Sequence, residues 1–223
     1  MENLTNNPIL LSSLNFLGFV RKNKNVIRRT TPNVHFDLFI TYRQDISIHT
    51  KYYDIGIQIT YREVARLKKK RNLYSGIPEG ISVNIGYLMP EQTYIEFPVS
   101  DVDGLQMVSA VNRIFLQIKQ YAIPFMEKYE DPNRLIEDYA NGVMSEHIHL
   151  NKQMIALLYF IYKGKEKALN YVQEQLIQLK KEEPQKPTVS VEDGKFANMD
   201  SVTVSVRGNE LILWEDLYEK LKH

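Results

Sequence analysis

Apolar and polar residues alternate in four stretches of the first hundred residues. Val34, Phe36, Leu38, Ile40 and Tyr42 alternate with His35, Asp37, Phe39 and Thr41. Tyr53, Ile55, Ile57, Ile59 and Tyr61 alternate with Asp54, Gly56, Gln58 and Thr60. Ile81, Val83, Ile85 and Tyr87 repeat the pattern, and a shorter run from Thr93 to Phe97 stops at Pro98. A period of two is the signature of strands with one buried face. With turn residues between them, these runs predict an antiparallel sheet of about four strands. The basic stretch Glu63 to Asn72 falls between the second and third runs, as a loop or short helix.

The period then changes. Leu105, Val108, Val111, Ile114, Ile118, Tyr121, Ala122 and Phe125 recur at helical spacing and predict a long amphipathic helix. Asp101 suits its N-cap, and Pro124 should kink or end it. Its apolar stripe supplies the second layer that the sheet's buried face requires. Leu10, Leu14 and Leu17 predict an earlier helix over 5–17, with Gly18 as its stop. Asp131-Pro132 opens a short helix to Ala140. Leu150 to Tyr162 and Lys165 to Lys181, separated by Gly164, read as a helical hairpin.

Glu182 to Pro187 reads as a linker. Beyond it, Val202, Val204 and Val206 alternate with polar residues, Gly208-Asn209 is a hairpin-turn signal, and Leu211 to Trp214 returns. Trp214, Leu217, Tyr218 and Leu221 then share a helical face. The expected fold is α+β, an antiparallel sheet backed by a long helix, followed by a helical hairpin and a small C-terminal β-hairpin plus helix. The expected parts are a sheet domain over 1–140, a helical hairpin packed on it over 141–183, and a linker, β-hairpin and short helix over 184–223. The last part is too small to fold alone. It should pack on the main body or on a second copy of the chain, which makes a homo-oligomer one expectation.

The chain has 223 residues, 43% hydrophobic and 25% charged, with a net charge of +1. These values are ordinary for a globular protein. The neutral total hides a segregation. Residues 1–75 carry a net +8 and residues 76–223 a net −7. The basic clusters are Arg21, Lys22, Lys24, Arg28 and Arg29, then Arg62, Arg66, Lys68, Lys69, Lys70 and Arg71. Such a distribution can steer an acidic partner, or the two halves can neutralise each other. No cysteine is present, which removes thiol nucleophiles, disulfides and Cys-ligated metals. The N-terminus lacks the features of a signal peptide, and no apolar run reaches membrane-spanning length. A cytoplasmic location without a membrane is expected.

Chemical motifs are sparse. There is no Gly-x-Ser-x-Gly elbow, no Walker loop and no dinucleotide fingerprint. Glu146-His147-Ile148-His149 could share a metal only if extended, and surface histidines explain it more simply. Asp101 and Asp103 sit where a helix cap belongs. His35 shares a strand face with Asp37, a weak hint of an acid/base pair. No catalytic residue, metal site or cofactor is therefore assigned.

One further pattern is Leu-Asn-Phe-Leu-Gly-Phe-Val-Arg-Lys-Asn at 14–23, Arg-Arg at 28 and 29, Asn-Ile-Gly-Tyr at 84–87 and Tyr-Ala-Ile-Pro-Phe-Met-Glu-Lys-Tyr at 121–129. This cadence resembles the bacterial domain-of-unknown-function family four-three-zero-four over residues 14–139. The resemblance implies a helix, a Gly-Phe-basic start to the first strand, a meander and a second helix ending in an apolar-Pro-Phe turn. It implies no catalytic residue, and for some members an immunity-like or accessory role near toxin genes. The insertion at 62–72 and everything after residue 140 depart from that pattern.

The first functional expectation is a non-enzymatic binding protein. Arg28, Arg29, Arg62, Arg66, Lys68, Lys69, Lys70 and Arg71 would steer an acidic protein partner, with Phe39 and Gln58 supplying contact area. One alternative is an enzyme on a phosphate-containing small molecule, with His35 or Asp37 moving the proton. Another is single-stranded nucleic-acid binding, given Tyr52, Tyr53, Tyr61 and Tyr74 near the basic run.

Overall fold

The computed structural model describes residues 4–100, 104–182 and 199–223. The chain is α+β and forms two compact units. The first comprises residues 1–65 and 78–151, the second residues 66–77 and 152–223.

The first unit is built on one antiparallel sheet. Its strands are β1 (Val20–Arg21), β2 (Val26–Thr30), β3 (Val34–Asp45), β4 (Thr50–Tyr61), β5 (Gly80–Asn84) and β6 (Phe97–Ser100). The order is β1-β2-β3-β4-β5, with β6 also on β4. β5 pairs with the second half of β4 (Gly56↔Asn84 to Thr60↔Gly80). β6 pairs with its first half (Thr50↔Ser100 to Tyr53↔Phe97).

The two long alternating runs lie where their periods place them. β3 and β4 pair over their full lengths, from Val34↔Tyr61 to Asp45↔Thr50. Phe36, Leu38, Ile40, Ile55, Ile57 and Ile59 are fully buried on one face. His35, Asp37, Phe39, Asp54, Gly56 and Gln58 lie on the other, hereafter the polar face.

Three sequence expectations need correction within this sheet. Residue alternation does not announce β2, because Arg28 and Arg29 interrupt it, and the two-residue β1 is too short to show a period. The third run stops at Asn84, whose side chain accepts the Gly86 N–H and turns Ile85–Leu88 into one 3-10 turn. The fourth strand occupies Phe97–Ser100 rather than Thr93 to Phe97. Pro98 is tolerated there because β6 has β4 on one side only among the described strands.

The apolar face is covered by helix. α1 (Pro8–Phe16) is capped by Asn7, buries Leu10 and Leu14, and packs against α3. It stops at Gly18, whose φ of +80° suits glycine. α3 (Gly104–Gln117) runs through a wider π turn at Ile118–Ala122 into α4 (Ile123–Lys128). Asp101, the expected cap, lies outside the described residues. Pro124 does not end the helix. It lacks an N–H and cannot close an ordinary turn. The Ile123 N–H reaches back to Ile118 O, so the π turn absorbs the mismatch and the helical path continues. Val111, Ile114, Ile118 and Met126 are buried along it. The Tyr61 hydroxyl donates to Tyr129 O at 2.9 Å, tying the end of β4 to the end of α4.

α5 (Pro132–Ala140) begins at Asp131, which accepts the Asn133 N–H as expected. Its Asp138 is buried but satisfied. Lys128 Nζ lies 2.6 Å from Asp138 Oδ2 and Arg134 Nε 3.3 Å from Oδ1. The Tyr129 hydroxyl donates at 3.0 Å. Burial pushes this carboxyl up, yet the bonds from Lys128 and Tyr129 outweigh it and hold it below the ordinary carboxylate range.

In the second unit, α6 (Lys152–Tyr162) and α7 (Lys165–Glu182) form the expected helical hairpin around Gly164. The expected β-hairpin is absent. Residues 202–214 lie inside one helix, α8 (Met199–Lys222), which packs on α7. Trp214, Leu217 and Leu221 are buried at helical spacing, and Tyr171 meets Trp214 edge-on at 6.3 Å. Once that half is helical, extension is cheaper than starting a hairpin, despite about 1 kcal/mol for an interior glycine such as Gly208. Residues 183–198, where the linker was expected, lie outside the described residues, apart from Glu182 at the end of α7.

α2 (Arg62–Lys70) is a helix, one of the two forms expected for the basic stretch. It begins in the first unit and ends in the second.

Asp138→Ala should lower stability by about 2 kcal/mol, because the Tyr129 hydroxyl loses its buried acceptor while both cations can return to water. Urea unfolding measures this, and a loss below about 0.5 kcal/mol would show the cluster to be energetically idle.

Candidate functional site

The polar face is ordered by register. Arg28, Asp37, Gln58 and Ser82 form one row across β2 to β5. Val26, Phe39, Gly56 and Asn84 form the next. Thr30, His35, Thr60 and Gly80 form the row on the other side. Alternation alone puts these side chains on one surface.

The Arg28 end of this face is basic. Arg28 grips buried Asp37 with two hydrogen bonds, Nε to Oδ1 at 2.6 Å and Nη2 to Oδ2 at 2.7 Å. The bond to Asp37 raises the Arg28 pKa further above its ordinary value. Arg62 donates to the carbonyls of Thr31 and Pro32 at 3.2 and 3.0 Å. His35 Nδ1 lies 3.0 Å from the Thr30 hydroxyl. Burial lowers the His35 pKa, and the positive charges of Arg28, Arg62 and Lys22 lower it further against a small opposing effect of Asp37. Cations from both basic clusters therefore act on one imidazole.

The remaining basic residues divide. Arg29 lies on the apolar side of β2, with its guanidinium over the rings of Phe36 (4.7 Å) and Phe19 (5.4 Å) and 3.9 Å from Glu127. Lys68 is buried, and its ammonium donates to the carbonyls of Ser75 and Ile77, closing the loop after α2. Arg71 donates to Lys220 O at 2.6 Å near the end of α8 and lies 4.8 Å over the Phe160 ring. Cations at a helix C-terminus are favourable there. Arg66, Lys69 and Lys70 are exposed. Of the eight residues expected to steer a partner, Arg28, Arg29, Lys68 and Arg71 thus hold the fold together as well. Arg28, Arg29 and Arg62 belong to the first unit, the other five to the second.

At the other end of the polar face the floor is concave. A groove of about 350 Å³ is lined by Phe39, Asp54, Gly56, Gln58, Ser82 and His149, with Asn84 and Tyr94 on its rim. His149 reaches it because residues after α5 add to the β5 edge. Ser82 N donates to His149 O at 3.1 Å, and His149 N to Ser82 O at 2.8 Å. His147 points elsewhere and stacks on Tyr87 at 4.2 Å. Asn84 Nδ2 donates to Asp54 Oδ1, and the Tyr94 hydroxyl also bonds Asp54. Burial raises the Asp54 pKa, and Glu96 adds to the rise against the bonds from Asn84 and Tyr94. Sequence reasoning placed Phe39 and Gln58 here but missed Asp54, which reads as one more polar strand residue. Nothing in its local sequence shows that no cation faces it.

The groove does not join the residues proposed for proton transfer. His35, Asp37 and Arg62 do not line it. Asp37 is held at both oxygens by Arg28, so the structure gives it no free oxygen for a substrate proton. Among the described residues no group of three or more metal-ligating side chains converges. No described helix is long and apolar enough to cross a membrane.

No protein-family model, curated protein or solved structure matches the chain.

Arg28→Ala should cost about 3 kcal/mol, because it strands a buried carboxylate, whereas Arg28→Ala with Asp37→Ala should cost less than Arg28→Ala alone. With Asp37→Ala as the remaining corner of the urea-denaturation cycle, a double-mutant loss equal to the sum of the two single losses would mean that the pair carries no coupling. A second outcome concerns pH. A depressed histidine pKa means that the unfolded chain protonates first. Stability should then fall as pH drops below about 6.5 and level off once the folded imidazole is charged. His35→Gln should flatten this part of the melting-temperature profile. An unchanged profile between neutral and mildly acidic pH would rule out His35 as its source.

Proposed function

We propose that this is a non-enzymatic binding protein that docks an acidic protein partner through the polar face of its first unit. The observation that supports it best is that Arg28, held on Asp37, and Arg62, held on the carbonyls of Thr31 and Pro32, both flank the Thr30–His35 end of this face. A cluster of cations that lowers the affinity of an imidazole for protons also attracts carboxylates. Phe39 and Gln58 on the same face supply contact area beside it. Exposed Lys69 and Lys70 add positive charge that speeds encounter without fixing the docked pose.

This reading agrees with the accessory or immunity-like role implied by the resemblance to family four-three-zero-four. It also fits the division of labour among the cations. Arg28 is rigid and prepaired, so it presents a fixed positive edge rather than a flexible one. Lys22 is exposed and can engage a partner directly.

The experiment is affinity capture from the native host with wild-type protein and with Lys22→Glu/Arg62→Glu. The wild type should recover one partner in stoichiometric amount, with a strongly acidic surface. Charge reversal should reduce its recovery at least about tenfold, and so should raising the salt to about 0.5 M. Recovery that is indifferent to both, or the absence of any stoichiometric partner, would overturn the proposal.

A further inference from the structure

Asp54 receives two neutral donors, Asn84 Nδ2 and the Tyr94 hydroxyl, and among the described residues no ion pair balances its charge. It is partly buried at the floor of the groove. The guanidinium of Arg43, two residues past the Thr41 that pairs with Asp54, is committed elsewhere. Arg43 holds Glu96 through Nε at 3.1 and 3.0 Å and Nη2 at 2.7 Å, and stacks over Tyr52 at 4.2 Å. Asn84 is committed at both ends, donating to Asp54 and accepting from the Gly86 N–H. Asn84 therefore fixes the orientation of the carboxyl without neutralising it.

The surroundings of Asp54 define what would complete it. Phe39 lines the groove and Tyr94 stands on its rim, and Gly56, paired with Phe39, leaves the floor beside it without a side chain. Gln58, Ser82 and His149 add polar atoms on the side away from Asp54. A flat cation with several N–H donors matches all three features. It pairs with the carboxylate, stacks on rings, and offers further donors to the polar wall. An ammonium point charge would use the first feature only.

We propose that this groove binds a guanidinium-type cation, seated on Asp54 and flanked by Phe39 and Tyr94. The cation comes either from a small molecule or from an arginine side chain on an extended peptide, and a groove of about 350 Å³ admits either. The site uses none of the cations of the acidic-partner reading and shares only Phe39 and Gln58 with it, so loss of binding in Asp54→Asn with the acidic partner still captured separates the two. Along β4, Asp54 and Thr60 are six residues apart, roughly 20 Å at about 3.3 Å per residue.

The test is NMR titration of the full-length labelled protein with N-ethylguanidinium and, separately, with a blocked Gly-Arg-Gly peptide. Both probes should perturb the amides of Asp54, Gly56, Ser82, Asn84 and His149. Peptide binding about tenfold tighter than the free cation assigns the site to a protein segment, and equal affinity assigns it to a small molecule. Asp54→Asn keeps the shape and removes the charge, and should weaken binding at least about tenfold. A second variant guards against misfolding. A Cβ at position 56 would meet only Phe39 Cβ, at an ordinary 3.6 Å. Gly56→Val should therefore fold, since β-branched residues suit strands, while its methyl groups fill the groove and abolish binding. Probes that leave these amides unmoved, or bind Asp54→Asn and Gly56→Val as well as wild type, would overturn the proposal.

Discussion

The register of β3 on β4 is the constraint on which the rest of the first unit depends. Twelve consecutive pairs, Val34↔Tyr61 through Asp45↔Thr50, put the apolar residues of both strands, Phe39 excepted, on one side as far as Ile40. A slip of one residue in the pairing would carry one strand's isoleucines to the polar side and Asp37 or Asp54 into the core. Burial of Phe36, Leu38, Ile55, Ile57 and Ile59 therefore selects this pairing over its neighbours. The same pairing sets Phe39 opposite Gly56 and Asp37 opposite Gln58. The groove and the basic end are consequences of the core's register rather than separate constructions.

Charge follows from the same geometry. The sequence is basic early and acidic late, and the fold partly resolves the imbalance with local partners. Arg28 finds Asp37 nine residues on, across one strand pair. Arg29, on the opposite side of the same strand, finds two aromatic rings instead. Adjacent identical residues thus receive different roles because a strand points them to different layers. Lys68 and Arg71, three apart on and just past α2, satisfy backbone carbonyls. A lysine or arginine in a basic run is not by that fact available to a partner. Its long stem allows burial beside a carbonyl that needs a donor.

Period was legible in the sequence, and so were the elements that depend on it. β3, β4, α1, α5, α6 and α7 all rest on apolar repeats or on start and stop residues such as Gly18, Asp131 and Gly164. What depends on distant packing was not legible. β2 is a strand because Ile27 pairs with Leu38 and because Arg29 is shielded by rings, neither of which its five residues announce. The Val202–Val206 alternation and the Gly208-Asn209 pair are strong local hairpin signals, yet the buried Trp214, Leu217 and Leu221 carry helix back through them. At the site, Phe39 and Gln58 could be assigned to a face by counting. The need of Asp54 for a cation could not, because it is defined by what the folded chain fails to bring near.

Three carboxyls within the first unit make that point physically. Asp37 is buried and gripped by one guanidinium at both oxygens. Asp138 is buried and met by a lysine, an arginine and a tyrosine hydroxyl, which together overcome its burial. Asp54 is half-buried and receives only neutral donors, and burial prevails. Withdrawing a carboxylate from water is costly unless an opposite charge comes with it. In the first two cases the fold itself supplies that charge, and the residues act as structure. In the third the fold supplies a concave floor, two aromatic side chains and a fixed carboxyl, and leaves the charge to whatever enters the groove.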